Sequence, residues 1–445
     1  MRFVLAMWGT RGDVEPCVAI GCELLRRGHD VRMAVAPELV GFAESAGLAA
    51  VTYGPDPRRW LDAHRDFCRN LFDNFWRIPD SRRLWREAAE SGTWCWGDMS
   101  TTLRSLADGA DLLLTGMAYQ EVAFNVAEYY DIPLATLHFA PLRANGQLQP
   151  LLPAPLARAA MTVGEWLVWP MRKKAEEVQR RELGLPKATS PAFRRITERG
   201  SLEIQAYDEM CFPGLAAEWA KWNGPINPLR PFVGALTMEL PTDADEEVVS
   251  WIAAGTPPIY FGFGSIPVES PADTLAMICA ACAQLGERAL VCSGGTDFSD
   301  LPHSEHVKVV GAMNHAAIFP ACRAVVHHGG AGTTAAGLRA GVRMLILWRG
   351  FDQPYWAAVV KRLKVGTARR FSSASRESLV ADLGTILAPQ YLVRAREVAT
   401  RMTTSAASVA AAADAVENCA RLRRAGKNGR RSAGWVSAWG SRARS

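Results

Sequence analysis

A chain of 445 residues is longer than one ordinary hydrophobic core serves, so two or three domains are expected. Its 49% hydrophobic and 21% charged residues set aside fibrous, low-complexity and disordered classes, and no stretch approaches the ~20 uninterrupted apolar residues of a membrane span. The net charge of +5 is unevenly placed: after Glu417 come eight basic residues and no acidic one, so the body is mildly acidic and the tail is basic.

Phe3–Met7 is an apolar run too short for a signal peptide's core and without a basic leader, so it reads as a first strand in a cytoplasmic chain. The ten cysteines, scattered among apolar neighbours, suit the same reducing compartment. Cys279 and Cys282 have CxxC spacing, but they sit in a helix-like run with no second ligand pair.

Taken in chain order, strand-like runs alternate with helix-period segments, the pattern of parallel sheets covered by helices. The first half holds Phe3–Met7, a helix Pro16–Arg27 stopped by Gly28, then Val31–Ala36, Leu112–Thr115, a helix near Glu121–Tyr130, and Leu134–Leu137. The second half holds Ile259–Phe263, Arg288–Cys292, Val307–Val310, Ala324–His327 and Arg343–Leu347. Between them Gly224–Pro231 carries three prolines and can be neither helix nor central strand. The expected division is a domain over 1–223, a linker over 224–235, a second domain over 236–390, a helix over 391–420 and a disordered basic tail over 421–445.

Four loops after strands carry candidate chemistry. The most specific is Val325-Val326-His327-His328-Gly329-Gly330-Ala331-Gly332-Thr333-Thr334, where a buried strand meets a glycine-rich helix start. Backbone N–H groups there, with close approach permitted by glycine, suit a diphosphate, and His328 and the two threonines add directed donors. Gly264-Ser265 ends an earlier strand and is either a plain turn or a second wall of the same site. Gly9-Thr10-Arg11-Gly12-Asp13 ends the first strand, and Asp13 is either a helix cap or a general base for a hydroxyl nucleophile. Asp352-Gln353 follows the last buried strand, either as a surface turn or as partners for vicinal sugar hydroxyls.

Together with Met313-Asn314-His315, these segments resemble GT-B glycosyltransferases, a group that includes antibiotic-aglycone and sterol glycosyltransferases. Residues 369–391 look similar to actinobacterial glycopeptidolipid glycosyltransferases. The resemblance implies two Rossmann-like α/β domains whose parallel sheets face an interdomain cleft, acceptor-binding first and donor-binding second. It implies an inverting transfer with Asp13 as base. Thr10, Arg11, Gly12, Ser265, Met313, His328, Gly330, Gly332, Thr333, Asp352 and Gln353 then hold a nucleotide-sugar co-substrate, UDP- or dTDP-linked. No metal or other cofactor is implied, and no Asp-x-Asp element that would bind one is read in the sequence, which leaves the leaving diphosphate to the helix N-terminus and His328. Trp348-Arg349-Gly350-Phe351 departs from the small residues usual before the Asp-Gln pair, which bears on sugar identity. The Trp- and Phe-rich stretch 60–100 reads either as core or as an apolar acceptor cleft suited to a lipid. No nucleic acid is expected as a partner, and the basic tail offers peripheral contact with a membrane. A sterol or aglycone acceptor is the near alternative, and a non-catalytic nucleotide-sugar-binding protein the distant one.

Overall fold

Short apolar runs pair into two six-stranded parallel sheets in a computed structural model, which describes residues 1–57, 93–148, 152–222, 230–242, 244–265 and 267–440. The first sheet contains β1 (Arg2–Met7), β2 (Asp30–Val35), β3 (Ala49–Thr52), β4 (Leu112–Thr115), β5 (Leu134–His138) and β6 (Leu202–Gln205), in the order β3-β2-β1-β4-β5-β6. The second contains β7 (Ile259–Gly262), β8 (Ala289–Cys292), β9 (Val307–Val310), β10 (Ala324–His327), β11 (Met344–Trp348) and β12 (Gly366–Arg370), in the order β12-β11-β10-β7-β8-β9. Both follow one plan, in which the first and fourth strands of each set are central neighbours. At that junction the winding reverses, and the loops leaving the carboxyl ends of the two strands open a crevice.

The central strands are legible because both faces are covered: Phe3–Met7 and Ala324–His327 are fully buried or nearly so. Three outer strands lie beyond the sequence pattern. β3 and β12 are edge strands: β3 is mostly exposed with only a short Ala-Ala-Val run, and β12 is largely half-buried with no apolar run. β6 is buried throughout, but its Glu203 and Gln205 hide it from a hydrophobicity count. The Glu203 carboxylate lies under Arg143 (2.6 Å) and Arg230 (3.2 Å), which hold it well below the usual carboxylate range, at about 2. Charge pairing, not apolarity, lets that strand enter the core.

The first helix spans Arg11–Arg26, beginning five residues earlier than its apolar periodicity indicates. Pro16 sits inside it, in the opening turns where a missing N–H breaks little. Cys279 and Cys282 are free thiols on the helix Pro271–Leu285.

The carboxyl-terminal region differs from the single helix over 391–420. Two helices, Pro389–Ala399 and Ser405–Gly440, are separated by a short turn. The second crosses to the first domain, where Ala412, Ala413, Val416 and Ala420 are fully buried in one cluster with Phe3, Leu5, Val14 and Val18. Arg27 bonds Asp414 at 2.6 Å and His29 bonds Glu417 at 2.9 Å, fixing its register. It continues to Gly440 through the segment expected to be disordered, because Ala and Arg favour helix and no proline intervenes. Arg424 anchors that extension to Asp111 at 2.6 Å. Among the described residues no helix is long and apolar enough to cross a membrane.

Arg339 ties the two crossings together. Its guanidinium donates to the Ala235 carbonyl (2.6 Å) and Thr237 Oγ1 (2.7 Å) on the linker side, and to the Thr403 carbonyl (2.8 Å) on the return. The helix Ala331–Arg339 therefore carries the glycine-rich loop at one end and the interdomain tether at the other.

Candidate active site

The turn after β1 is built around one carboxylate. Asp13 Oδ2 accepts from the Thr10 N–H at 2.8 Å and from Thr10 Oγ1 at 3.1 Å, so the side chain does close the helix start. Gly9 has φ +142°, and a β-carbon there would lie 2.3 Å from Asp13 Oδ2. The carboxylate therefore packs directly on the Gly9 backbone. Burial raises the Asp13 pKa above the usual carboxylate range, with the Thr10 bonds pulling the other way. A cap with a raised pKa is also a stronger base once ionised, so the two roles are compatible.

The turn after β10 is built without an acid. The helix Ala331–Arg339 starts at Gly330 with no acidic residue in its first turn and no side-chain cap. Its orphan N–H groups and positive dipole end remain for an external anion. Gly332 is exposed and Thr333 half-buried on that turn. Thr334 is buried, and its hydroxyl donates to the Gly330 carbonyl at 2.8 Å, so only one of the two threonines is available.

His328 sits in a slot between two backbones. A β-carbon at Gly264 would lie 2.6 Å from its Cε1, and one at Gly330 2.5 Å from its Nε2. Those glycines explain why Gly264-Ser265 and His328-Gly329-Gly330 occur as a pair: β7 and β10 are neighbours in register, His327 opposite Gly262. Burial lowers the His328 pKa to about 4, and the Arg349 charge adds to that. The ring is thus neutral near pH 7 and can donate one hydrogen bond, but it brings no charge to a diphosphate. On the histidine's side the sharing implied by the resemblance is therefore narrowed to a neutral hydrogen bond.

Two arginines bring positive charge near these turns. Arg349 donates to the Pro267 carbonyl at 2.8 Å, lies 4.6 Å from the Phe371 ring centroid and acts electrostatically on His328. Arg11, held to Glu15 at 3.0 Å, acts on His315 and Cys292 of the other domain. Glu15 also accepts from the Met238 N–H at 3.0 Å, joining this helix to the chain entering the second domain. Gly12 is exposed in the first turn of the helix Arg11–Arg26, and Ser265 is exposed on its loop. Met313 is buried, with its backbone in the loop after β9, and Asn314 caps the short helix that follows.

Asp352 closes the site from β11. Its Oδ2 accepts from Trp356 Nε1 at 3.2 Å. Burial, and secondly the charge of Asp13, push its carboxyl up to about 6. Residues of two domains, 339 positions apart in sequence, thus act on each other across the cleft. Gln353 also has a structural part. It is buried, and its Oε1 accepts from the Arg349 and Gly350 N–H groups at 2.7 and 3.4 Å, so that oxygen holds the turn. Phe351 in the same turn adopts φ +58°, which costs an L-residue roughly 1–2 kcal/mol.

Sequence reasoning quoted Arg349 and His315 within their motifs without giving either a role, and it passed over the turn Ser293-Gly294-Gly295-Thr296. That turn leaves β8 and closes on the site: Gly295 donates to the Gly264 carbonyl at 2.8 Å, and a β-carbon on it would meet the Ser265 carbonyl at 2.1 Å. With Gly311 it lines a groove of 350 Å³. Its signal, a Gly-Gly pair after a strand, is present in the sequence. Asp243-Ala-Asp245 does have the Asp-x-Asp spacing. Asp243 lies outside the described residues, and Asp245 already caps Thr242 and accepts from the Asn314 N–H. Trp60, Phe67, Phe72, Phe75, Trp76 and Trp85 of the aromatic stretch also lie outside the described residues. Trp94 is exposed, whereas Trp96 is core, donating to Gln179 at 2.7 Å.

The same two halves match known families. Residues 3–102 match the glycosyltransferase family 28 N-terminal domain, and residues 265–422 match the erythromycin biosynthesis protein CIII-like C-terminal domain. An uncharacterized glycosyltransferase of Mycobacterium tuberculosis is 60% identical over 95% of this chain and 100% of its own length. The vancomycin aglycone glucosyltransferase of Amycolatopsis orientalis is 28% identical over 92% and 96%. Among solved structures, the calicheamicin glycosyltransferase superposes with TM-score 0.64 at 18% identity, covering 94% of this chain and 98% of that one. With 60% identity to a glycosyltransferase along its full length, and with two sheets wound and joined as in these structures, the chain belongs to the GT-B glycosyltransferases and is a transferase of that family.

Proposed function

We propose that this glycosyltransferase inverts the anomeric centre as it moves a hexose or deoxyhexose from a UDP- or dTDP-sugar to a hydroxyl of a lipid, glycopeptidolipid or other hydrophobic acceptor. The observation that carries it is the pairing across the cleft: a buried carboxylate with raised pKa on one side, an uncapped helix N-terminus with cations beside it on the other. Asp13 takes the acceptor's proton as the oxygen attacks the anomeric carbon. The bond from that carbon to the diphosphate oxygen breaks, and the diphosphate leaves with the electron pair. The helix N–H groups of Gly330–Thr333, the neutral His328 N–H and the arginine charges stabilise it without a metal.

A dTDP complex among the structural neighbours, the VinC glycosyltransferase at TM-score 0.61, supports a nucleoside-diphosphate donor. A sterol or antibiotic aglycone is the second acceptor class, favoured by the vancomycin relative and by a sterol 3-beta-glucosyltransferase of Arabidopsis thaliana, 29% identical over 93% of this chain. Intact-mass screening of lipid, sterol and aglycone acceptors against a panel of UDP- and dTDP-sugars decides between them. Nucleotide-sugar binding with no transfer to any acceptor, and no donor hydrolysis, would instead support a non-catalytic binder.

The same reading gives the basic segment 421–445 a peripheral contact with an anionic leaflet on the cytoplasmic side, about 1 kcal/mol per engaged residue. The side chains of Trp435 and Trp439 lie outside the described residues. Sedimentation with anionic vesicles tests it, since equal pelleting of the full chain and a form ending at Ala420 overturns that contact.

A further inference from the structure

Folded monomers rarely turn a long apolar stripe outward, yet the helix Ala154–Glu182 does so over its opening turns. Six of the sixteen large apolar side chains exposed among the described residues lie between Leu152 and Val168, so they form a patch and not a scatter. The helical period sets most of them on one face with their smaller neighbours: Leu156, Ala159, Val163, Trp166, Leu167 and Pro170. Leu167 is 69% exposed, Leu156 59% and Val163 55%. No charged residue stands on that face from Leu156 to Pro170.

The residues packed inward lie on the opposite side. Ala157, Glu176 and Gln179 are buried, and Met161 packs against the cluster that holds Phe212 and Trp356. Glu165 turns the same way, toward the Ala144 N–H and the Arg143 guanidinium. The stripe therefore faces away from the body that carries the transfer site.

Aromatic and cationic groups border it. Trp166 meets Trp169 edge-on at 5.5 Å, and Lys173 lies 4.8 Å over the Trp169 ring, held loosely by Glu177 at 3.8 Å. Lys174 continues the stripe and is exposed, whereas Arg172 is engaged by Glu121 at 2.9 Å. An apolar face with tryptophan and lysine at its border suits a helix lying in a lipid headgroup layer, and the lysines complement anionic headgroups. A second copy of the chain fits less well. A stripe roughly 21 Å long and 10 Å wide offers about 200 Å², against the ~800 Å² per partner of a stable interface.

We propose that this face docks on an anionic leaflet, with Leu156, Val163 and Leu167 entering the acyl boundary and Lys173 and Lys174 meeting the headgroups. The contact is separate from that of segment 421–445 and needs neither donor nor acceptor.

Sedimentation of the full chain with vesicles of phosphatidylcholine and phosphatidylglycerol tests it at low salt and at about 1 M salt, where charge contacts are screened. The wild type should still pellet at high salt, because apolar insertion survives screening. V163E/L167E should bind there at least tenfold more weakly, while K173A/K174A should lose about fivefold per lysine at low salt only. An unchanged Tm and UDP or dTDP affinity show that V163E/L167E folds, and V163S/L167S replaces it if they change. High-salt binding retained in the glutamate variant, or absent from the wild type, overturns the proposal. So does a dimer formed without vesicles and abolished by V163E/L167E, which assigns the face to a second copy. Vesicle binding is read without donor or acceptor, so its failure leaves the transfer reading untouched.

Discussion

The turn after β1 and the turn after β10 both lead from a buried central strand into a helix, and each faces the same cleft. They satisfy the helix start in opposite ways. After β1 the chain supplies its own anion: Asp13 accepts from Thr10 and lies against Gly9. After β10 it supplies none, and glycine and His328 occupy the space where an acidic cap would sit. On the function proposed above, the carboxylate at the first helix start serves as the base and the uncapped second start as the anion site. The difference lies in one side chain per turn, on two sheets wound the same way.

The comparison breaks most severely at the carboxylate. Asp13→Asn keeps the shape and the hydrogen-bonding reach but cannot take a proton, so kcat should fall by about 10²–10⁴ with UDP or dTDP affinity retained. Turnover within a few-fold of wild type would leave Asp13 as a cap alone.

The glycines should sort the two turns by function. A β-carbon at Gly9 would press on Asp13 Oδ2, at 2.3 Å, and one at Gly330 on His328 Nε2, at 2.5 Å. Gly9→Ala is expected to lower kcat, while Gly330→Ala should weaken nucleoside-diphosphate binding by roughly tenfold to a hundredfold, the scale of a disturbed packing contact. Steady-state kinetics with calorimetry on both variants checks this. Equal effects of the two on donor affinity would erase the distinction.

The carboxylate on the donor side sharpens the comparison through pH. Asp352 is pushed up to about 6 from 3.8, so its charged form is disfavoured in the fold. The stability it contributes is fully present below its unfolded pKa and is lost as pH rises through the folded one. Asp352→Asn should therefore unfold at a higher temperature than wild type near pH 8, with the gap closing below about pH 4. A gap that is constant across that range would remove the electrostatic part of the account. The smallest expected effect is that of a chelator. With helix N–H groups and arginines as the diphosphate's partners, EDTA should leave turnover unchanged, and rescue by Mg²⁺ after its loss would overturn that.

How far the sequence reaches follows from what each feature depends on. The central strands, the glycine-rich helix start and the Gly-Thr-Arg-Gly-Asp turn are local: apolar runs and turn chemistry within about ten residues specify them. Edge strands β3 and β12 escaped because strands covered on few faces need only short or mixed runs, and β6 because its burial depends on Arg143 and Arg230 arriving from elsewhere. The neutral state of His328 needed the packing of Gly264 beside Gly330, residues 66 apart in the chain. The roles of Gln353 and Thr334, bonded back onto their own turns, likewise appear only with coordinates.

By itself the sequence determined the two-sheet α/β plan and the turns that leave its central strands, since strands, turns and helix starts are encoded in neighbouring side chains. Tertiary structure decided which of those residues are charged, which are occupied and which face one another. Burial and distant partners set a pKa or engage a hydrogen bond, and Asp13 and Asp352 come within each other's field only when two separately encoded sheets are folded against one cleft.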